Sequence, residues 1–316
     1  NYFPVAPLMH GAAQLATWIA FLQGSKVLLV RKFDVSDVIE TAVRERANTM
    51  SIVGDAMARP IAEALETEFA DADFSNLFAL SSAGAILSQA VRDKLSARLP
   101  NVALMDNFGA SETGFQGTGT VGSSPDKGLR FTVNARSAVL DDQLRPVEPG
   151  SGVVGRVAQH GHVPVGYYKD EVKTKESFVT IDGERWVVLG DMATVEKDGS
   201  IAVLGRGSVC INTGGEKVYP EEVEAVLKAH PAVYDAVVAG VPDERFGQRP
   251  AAVIQLRPGV DATHDDLIAH AREHLAGYKA PSFVVVVPEI RRSHSGKADY
   301  PWAAKVAAEK LGDRQG

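Results

Sequence analysis

The chain is organised around the stretch Leu204-Gly-Arg-Gly-Ser-Val-Cys-Ile-Asn-Thr-Gly-Gly-Glu-Lys-Val-Tyr-Pro-Glu-Glu-Val-Glu224. Arg206 stands between two glycines, so a cation is presented on backbone free of Cβ crowding. Thr213-Gly-Gly215 predicts a tight loop that a bulky group can approach closely. Pro220 and the two glutamates after it predict the first turn of a helix. An ordinary loop leaving a hairpin has the same composition, but the whole run favours a seam between two domains with function on both sides.

Length and composition bound the class of protein. A chain of 316 residues exceeds the usual single core and predicts two domains or more. A hydrophobic fraction of 45% is ordinary for a globular protein, and the net charge of −7 argues against a general nucleic-acid surface. The single cysteine, Cys210, excludes an internal disulfide framework and favours the cytoplasm. We expect no membrane span, because the apolar stretch 16–30 is interrupted at 23–26, short of the roughly 20 residues required.

The first part of the chain alternates strand and helix patterns at βαβ spacing, which predicts a parallel sheet. A strand end at residues 5–10 enters a segment interpreted as a buried helix. The further strands are predicted at 26–30 (buried on both faces), 51–53, 77–80 and 101–105, and the helices at 34–45, 59–69 and up to residue 95. Turns at the carboxyl ends of such strands form the default ligand crevice.

Two of these turns have compositions that suit a nucleotide. Ser81-Ser-Ala-Gly-Ala85 follows one strand and opens a helix, and Asp106-Asn-Phe-Gly-Ala-Ser-Glu-Thr-Gly114 follows the next. Phe108 offers a flat stacking face, and Ser111 and Glu112 offer oxygen ligands suited to phosphate and Mg²⁺. A Gly/Ser-rich turn with one surface glutamate is the equally ordinary structural interpretation.

From residue 131 the pattern changes to short alternating strands, predicted at 133–140, 152–158 and 185–191, with a hairpin at 194–203 around Asp198-Gly199. This block predicts an antiparallel subdomain. In the stretch 185–191 an apolar strand is followed directly by Asp191. A carboxylate at that position could form a turn or bind a ribose diol.

A compact α+β unit follows Arg206. Helices are predicted at 220–229, from a capping box at Thr263 to about Gly277, and from about Asp299; strands are predicted at 236–239, 251–256 and 283–287. Lys297 stands beside a glycine in the polar loop before the last helix. A lone exposed lysine is usually only solubilising.

Taken in order, these motifs resemble those of the adenylate-forming superfamily of acyl-CoA synthetases, luciferases and peptide synthetase adenylation domains. Pro7-Leu-Met-His10 is similar to the Pro-Leu-aromatic-His motif of the acyl pocket. Ala83-Gly84-Ala85 resembles the adenine-side loop, with Ile86 in place of the usual proline. Phe108-Gly-Ala-Ser-Glu112 is similar to the Tyr-Gly-x-Thr-Glu motif. The resemblance spans the entire chain.

The second half of the chain continues the series. Gly166-Tyr-Tyr168 and Leu189-Gly-Asp191 resemble the Gly-Tyr and Thr-Gly-Asp motifs. Arg206 resembles the ribose-binding arginine of the linker, although Val209 stands where the family usually has a charged hinge residue. Gly214-Gly-Glu216 resembles the loop that approaches the pantetheine thiol, and Ser295-Gly-Lys297 resembles the motif of the catalytic lysine.

The resemblance implies a role for each of these residues. His10 lines the acyl pocket, Glu112 holds Mg²⁺ and Lys297 is catalytic. Phe108 stacks on adenine, Ser111 meets phosphate, and Asp191 and Arg206 bind the ribose. The full implied nucleotide site is Gly84, Ala85, Asn107, Phe108, Gly109, Ser111, Asp191 and Arg206, and the implied CoA site is Gly214, Gly215 and Glu216.

The resemblance also implies the fold class, α/β and α+β. Residues 1–205 correspond to part of a large adenylation domain, with a parallel α/β part at 1–128 and an antiparallel β subdomain at 129–205. Residues 206–316 correspond to a small mobile C-terminal domain that rotates near Arg206 between two steps, because Lys297 and Gly215 cannot both face the crevice easily.

The implied activity is that of an ATP-dependent acid–CoA ligase that uses ATP, Mg²⁺ and CoA. The substrate is a carboxylic acid, fatty or otherwise hydrophobic, since apolar walls around His10 and residues 51–56 suit fatty, sterol side-chain and aryl acids alike. A homo-oligomer is compatible with this. Two alternatives stay open: an acyl-AMP ligase that loads a carrier protein, and a nucleotide-binding module without turnover.

One family motif is missing from the sequence. The Ser/Thr/Gly-rich phosphate loop, followed by Lys-Gly, should lie upstream of Pro7, and no such loop stands there in this sequence. We therefore expect the chain to be a C-terminal fragment of a longer enzyme, inactive in adenylation by itself.

Overall fold

A computed structural model of the chain describes residues 1–119, 129–293 and 296–315. These residues form two compact units. The first unit comprises Asn1–Gly119 and Arg292–Lys297, and the second comprises Thr120–Arg291 and Ala298–Gly316. The domain boundaries predicted at 128/129 and 205/206 stay predictions.

The first unit is a sheet with helices in the connections, in the strand order β1-β2-β3-β4-β5. Its elements are β1 Tyr2–Pro4, α1 Gly11–Leu22, α2 Val35–Arg44, β2 Thr49–Ile52, α3 Gly54–Glu66, β3 Ala79–Ala83, α4 Gln89–Arg98, β4 Ala103–Ala110 and β5 Gly114–Gly119. The strands β1 to β4 are parallel, and β5 pairs antiparallel with β4. The predicted parallel sheet is confirmed.

Local sequence signals explain several of these elements. The Asp34 carboxylate caps α2 by accepting hydrogen bonds from the Ser36 and Asp37 amides at 3.1 and 3.2 Å, and the helix predicted at 34–45 is confirmed. The strand β2 is covered on both faces, since Met50, Ser51 and Ile52 are all buried although Ser51 is polar. Met50 and Ile52 lie in the core of this unit, together with Leu80 of β3.

Two predictions for the first seventy residues are wrong. Residues 26–30 form no strand: Val27 makes one isolated bridge to Tyr2, and the Leu29 side chain is 55% exposed. The partner strand β1 is three residues long and ends in Pro4, which has no amide hydrogen to extend a ladder. The helix α1 is not a buried one, because only its two small residues Ala13 and Ala20 are buried while Trp18, Phe21 and Leu22 are exposed.

The antiparallel part of the second unit has the strand order β6-β11-β10-β8-β7, with β9 beside β10. Its elements are β6 Leu129–Val133, β7 Ser137–Leu140, β8 Gly155–His160, α5 Glu171–Ser177, β9 Phe178–Ile181, β10 Glu184–Val195 and β11 Ile201–Arg206. The predicted hairpin around Asp198-Gly199 is confirmed as the β10–β11 turn. The single strand predicted at 133–140 is wrong, because the Asn134 side chain accepts the Arg136 amide and turns the chain between β6 and β7.

The remaining part of the second unit has the strand order β13-β12-β15-β14, with β16 parallel to β15. Its elements are β12 Ile211–Thr213, β13 Glu216–Val218, α6 Pro220–Ala229, β14 Val233–Asp243, β15 Gly247–Leu256, α7 His264–His274, β16 Phe283–Val286 and α8 Tyr300–Gln315. The predicted helix at 220–229 and the capping box at Thr263 are confirmed. The helix α7 ends at His274, before the predicted Gly277, because residues 276–279 form a separate turn.

This second sheet is covered on both faces. Val238 of β14 packs in a core with Leu227 of α6 and Leu267 of α7. Its neighbour Val237 packs with Ala303 of α8 in a different core. Successive side chains of a strand point to opposite faces, so each face of β14 serves one helical layer. The predicted combination of parallel α/β and antiparallel α+β structure is confirmed.

Candidate active site

His10 stands at the entrance of α1 and faces Gly84. Its Nδ1 accepts a hydrogen bond from the Ala12 amide at 3.3 Å, which caps the helix and fixes the ring. Gly84 has a φ of +80°, and a Cβ there would lie 2.6 Å from His10 Nε2. Burial lowers the pKa of the His10 imidazole, and the Lys297 ammonium lowers it further. His10 is therefore a neutral, buried ring held against Gly84.

The loop that carries Lys297 belongs to the first unit, the same unit as His10. The Lys297 amide donates to Ser293 Oγ at 3.1 Å, and its carbonyl accepts from the Ser293 amide at 2.8 Å. A Cβ on Gly296 would lie 3.3 Å from Ala56 Cβ and 3.7 Å from Val53 Cγ1, so this loop packs on the wall predicted for the acyl pocket. Ser295, the first residue of the predicted motif, lies outside the described residues.

The predicted nucleotide motif lies mostly on a strand. A turn was predicted from Asp106 to Gly114, but β4 continues to Ala110, so Asn107, Phe108 and Gly109 are strand residues. The cause is Gly109: a Cβ there would lie 2.0 Å from the Gly114 carbonyl oxygen, and its absence lets β4 and β5 pair up to the turn.

Ser111 and Glu112 form the short turn after β4. Ser111 Oγ lies near the start of α1, at 3.4 Å from the position of a Cβ on Gly11, directly after His10. Ala85 follows Gly84 and packs against the start of α3. A Cβ on Gly54 would lie 2.7 Å from the Ala85 Cβ. The first unit therefore brings His10, Gly84, Ser111 and Lys297 together, as their motif order predicts.

Glu112 is the residue predicted to hold Mg²⁺. Glu112 is half-buried and follows Ser111 in the sequence. The carboxylate and the hydroxyl of these two residues offer oxygen ligands, which Mg²⁺ prefers. Within the described ranges, acidic and imidazole groups come together in threes only on α7, far along the chain from Glu112. One protein carboxylate fits a Mg²⁺ ion that takes its other ligands from nucleotide phosphates and water.

One buried and one partly buried ion pair support these motifs, and both were missed from the sequence. Asp55 accepts the Ser88 amide at 2.7 Å and pairs with Arg59 at 3.3 Å. Asp106, just before Asn107, pairs with Arg92 of α4. Burial raises the pKa of the Asp106 carboxyl, and Arg92 opposes that effect. Asp55 and Arg59 are four residues apart on one helix, a spacing that could have indicated the first pair.

In the second unit, Asp191 and Arg206 face each other across the β10–β11 ladder. Arg206 Nε lies 3.5 Å from Asp191 Oδ1, and the exposed fractions of the two side chains are 59% and 18%. The prediction that the strand ends before Asp191 is wrong, because β10 runs on to Val195. An irregularity in its register between Val188 and Met192 bends the strand at Asp191 instead. The pair is one anchored carboxylate beside one exposed guanidinium.

Glu221 is half-buried, and the sequence did not reveal that one of its carboxylate oxygens is buried. It was interpreted only as a favourable charge in the first turn of α6. In the structure a Cβ on Gly205 would lie 2.3 Å from the buried Glu221 Oε2, which has no hydrogen-bond partner among the described residues. Burial raises the pKa of Glu221, while hydrogen bonds from the Arg206 backbone and the Tyr300 side chain oppose this. Glycine beside Arg206 therefore makes room for a carboxyl group.

The predicted CoA loop is a two-residue hairpin turn between β12 and β13. Gly214 and Gly215 have φ values of +61° and +94°, which glycine adopts without strain. The Gly214 amide donates to the Phe246 carbonyl at 2.9 Å, whereas a Cβ on Gly215 would meet nothing within 4 Å. Glu216 begins β13 and is exposed. The tight loop predicted from Thr213-Gly-Gly215 is confirmed, and the side of Gly215 is open.

Two known protein families match this chain. The AMP-binding enzyme family matches residues 1–168, and the AMP-binding enzyme C-terminal domain matches residues 222–297. The chain belongs to the AMP-binding enzyme family. The predicted resemblance to adenylate-forming enzymes is thereby confirmed, while the individual site residues stay predictions.

Relatives within this family are named as CoA ligases. A medium/long-chain-fatty-acid–CoA/3-oxocholest-4-en-26-oate–CoA ligase of Mycolicibacterium smegmatis is 48% identical over 98% of this chain and 57% of its own length. The medium-chain acyl-CoA ligase Mig of Mycobacterium avium is 44% identical over 95% of this chain and 55% of its own. The chain thus spans little more than half the length of these relatives.

Solved structures of the family have the same fold. The amide bond synthetase McbA from Marinactinospora thermotolerans matches with a TM-score of 0.82 at 26% identity, over 97% of this chain and 61% of its own. The anthranilate CoA ligase AuaEII, in complex with anthranoyl-AMP, matches with a TM-score of 0.81 at 24% identity, over 98% of this chain and 60% of its own. None of the helices described here has the length and apolar character needed to cross a membrane.

Proposed function

We propose that the protein is an ATP-dependent acid–CoA ligase. The observation that carries the proposal is the gathering of His10, Gly84, Ser111 and the Lys297 loop in one unit of an AMP-binding enzyme. In the first step a substrate carboxylate attacks the α-phosphorus of ATP, and the bond to pyrophosphate breaks. In the second step the CoA sulfur attacks the acyl carbon, its proton is lost, and AMP leaves.

Lys297 serves the first step. A carboxylate that approaches a polyphosphate meets like-charge repulsion, which an ammonium group between the two offsets. Its nearness to His10 supports this role beside the proposed acyl pocket, since the Lys297 ammonium lowers the His10 pKa. Glu112 would hold Mg²⁺, which when bound supplies further positive charge to the phosphates.

We propose a role in nucleotide binding for each residue of the predicted motifs. Phe108 would stack on adenine, with Gly84, Ala85, Asn107 and Gly109 along its edge, and Ser111 would contact the phosphate. The Asp191 carboxylate accepts hydrogen bonds, so it suits the two ribose hydroxyls, and Arg206 beside it suits the same sugar. Asp191 is held by its strand while the Arg206 side chain is exposed enough to adjust to a ligand.

The second step would use the hairpin at Gly214 and Gly215, with Glu216 beside it. Open space on the side of Gly215 lets the pantetheine arm approach the backbone closely. We propose that the domain after Arg206 rotates between the two steps. Because Val209 stands where the family usually has a charged hinge residue, contacts around Val209 would stabilise the hinge instead. Lys297 then serves adenylation and Gly215 serves thioester formation.

The acid is proposed to be a medium- or long-chain fatty acid or a sterol side-chain acid, because relatives at 44–48% identity are named for such substrates. A neutral His10 fits an apolar acyl pocket. We propose that the enzyme acts in lipid metabolism in the cytoplasm, as its single cysteine favours. Homo-oligomer formation stays a prediction.

A panel of acids tests this proposal in the full-length protein. Octanoate, palmitate, a sterol side-chain acid and benzoate are each supplied with ATP, Mg²⁺ and CoA, and acyl-CoA and AMP are measured. We expect equal amounts of thioester and AMP with the fatty or sterol acids. Thioester formation from none of the acids would contradict the proposed function.

A further inference from the structure

The last turn of α7 carries a cluster of metal-binding side chains outside the candidate active site. His270, Glu273 and His274 each offer one ligand atom, and these atoms lie within 4.8 Å of one another. The spacings of three and four residues place Glu273 and His274 each beside His270 on the helix surface. Glu273 and His274 are exposed and His270 is half-buried, so an ion could reach them from solvent.

Hydrogen bonds to backbone carbonyls leave one nitrogen of each imidazole available. His270 Nε2 lies 3.0 Å from the Val226 carbonyl of α6 and must donate to it, which leaves the Nδ1 lone pair. His274 Nδ1 lies 2.9 Å from the His270 carbonyl and donates in the same way, which leaves Nε2. Metal-binding histidines are usually oriented by such a donated bond on the far side of the ring.

A third histidine borders the cluster without joining it. The ring centroid of His230 lies 5.1 Å from that of His270, and its Nδ1 accepts the Ala232 amide at 3.2 Å.

We propose that His270, Glu273 and His274 bind a divalent transition-metal ion, with Zn²⁺ as the reference. Two imidazole nitrogens and one carboxylate oxygen are a donor set that Zn²⁺ takes in proteins, with water in the fourth position. Metal–ligand distances of about 2.0–2.2 Å bring ligand atoms closer together than 4.8 Å, and rotation of the exposed Glu273 and His274 side chains achieves this. Cu²⁺ and Ni²⁺ share this ligand chemistry.

Such an ion would link side chains within the last turn of α7, where His270 also contacts the Val226 carbonyl of α6. The ligand atoms come together only when α7 is helical, so the ion binds the folded chain and not the unfolded one. Binding of this kind raises the free energy of unfolding in proportion to the logarithm of the free metal concentration. The inference is independent of the proposed ligase activity.

Zn²⁺ titration of the chain by calorimetry tests the site. The variants Glu273→Gln and His274→Gln change exposed side chains and leave the His270–Val226 bond in place, and His162→Gln, an exposed histidine outside the cluster, is the control. We expect the chain and H162Q to bind Zn²⁺ alike, and E273Q and H274Q to bind it about tenfold or more weakly.

Thermal unfolding gives a second measurement. Added Zn²⁺ should raise the melting temperature of the chain and of H162Q, EDTA should reverse the rise, and H274Q should show little of it. No Zn²⁺ binding by the chain, or binding that persists unchanged in both E273Q and H274Q, would overturn the proposed site.

Discussion

Lys297 is the side chain on which the proposed adenylation step depends most. We expect Lys297→Ala in the full-length protein to slow acyl-AMP formation by roughly 10²–10³-fold, the usual effect of one charged or hydrogen-bonding group aimed at a transition state. Thioester formation from supplied acyl-AMP should be nearly unchanged, because that step does not need the ammonium. Lys305→Ala, an exposed lysine of α8, is the control. Equal losses in both half-reactions would contradict the assignment of Lys297 to the first step.

Glu221 makes stability depend on pH in a defined direction. Its pKa is raised above the ordinary value of 4.5, so the folded chain keeps this proton to higher pH than the unfolded chain does. Its contribution is therefore fully present at low pH and is lost as the pH rises from about 4.5 through the raised value. The loss amounts to about 1.4 kcal/mol for each pH unit by which the pKa is raised.

Glu221→Gln removes this titration. We expect the variant to be more stable than the native chain at pH 8 and the difference to shrink towards pH 4, in urea unfolding followed by circular dichroism. Glu244→Gln changes an exposed acid and serves as the control. A native chain and an E221Q variant of equal stability at every pH would show that this carboxyl group is not buried.

At the residue scale, the sequence predicted chemical types better than environments. The glycine, aromatic and acidic residues of the motifs could be located because their spacing is local. The burial of Glu221 could not, because it arises from the contact of α6 with Gly205, sixteen residues earlier in the chain. The pairing of Asp106 with Arg92 likewise depends on how α4 packs beside β4.

The β12–β13 hairpin is the element that the proposed CoA step uses. A leucine at Gly215 would be strained at a φ of +94° but would meet no protein atom at its Cβ, so it would project into the space proposed for the thiol arm. Gly183→Leu is a matched control, since Gly183 has a φ of +82°, equally open surroundings and a place in the unrelated β9–β10 hairpin.

We expect Gly215→Leu in the full-length protein to slow thioester formation from acyl-AMP by about tenfold or more, since a misplacement of about 1 Å can cost 10²-fold. ATP–pyrophosphate exchange should be spared, and G183L should resemble the native protein in both assays. If Gly215→Leu slows ATP–pyrophosphate exchange more than thioester formation, the hairpin belongs to the nucleotide site.

At the element scale, the sequence predicted best the helix α6, which begins at a proline. The bounds of α6 are as predicted, because Pro220 and the buried face of Val223, Val226 and Leu227 define it. Strand ends were less predictable: β4 and β10 both run through residues interpreted as turns. The strand β4 continues because Gly109 allows close pairing with β5, and β10 continues because its register is irregular. Both causes lie in the pairing of strands and not in local composition.

At the scale of the whole molecule, the missing phosphate loop predicts how the 316-residue chain treats nucleotides. Phe108, Glu112, Asp191 and Arg206 would bind adenosine and the α-phosphate. The loop that should bind the β- and γ-phosphates is expected upstream of Pro7 and does not stand there in this sequence. We expect AMP to bind no more weakly than ATP in calorimetry, and no ATP–pyrophosphate exchange with any acid. Robust ATP–pyrophosphate exchange by this chain would mean that other residues of the chain form a phosphate site.

The order of motifs along the chain was the sequence feature that predicted the family. Each motif alone is as typical of an ordinary loop, and only their sequence and spacing over 316 residues favour an adenylate-forming enzyme. The identity of the acid could not be predicted, because apolar residues that line a pocket suit many acids. The acceptor could not be predicted either, since a glycine hairpin admits the thiol arm of CoA and that of a carrier protein alike.

The transfer of a preformed acyl group tests the central claim most directly. Full-length protein is given palmitoyl-AMP with CoA, with a carrier protein bearing pantetheine, or with neither, and consumption of the adenylate is followed with its products. An acid–CoA ligase should consume palmitoyl-AMP in a CoA-dependent way and release palmitoyl-CoA and AMP in equal amounts. Consumption only with the carrier protein, or with neither acceptor, would contradict the proposed function.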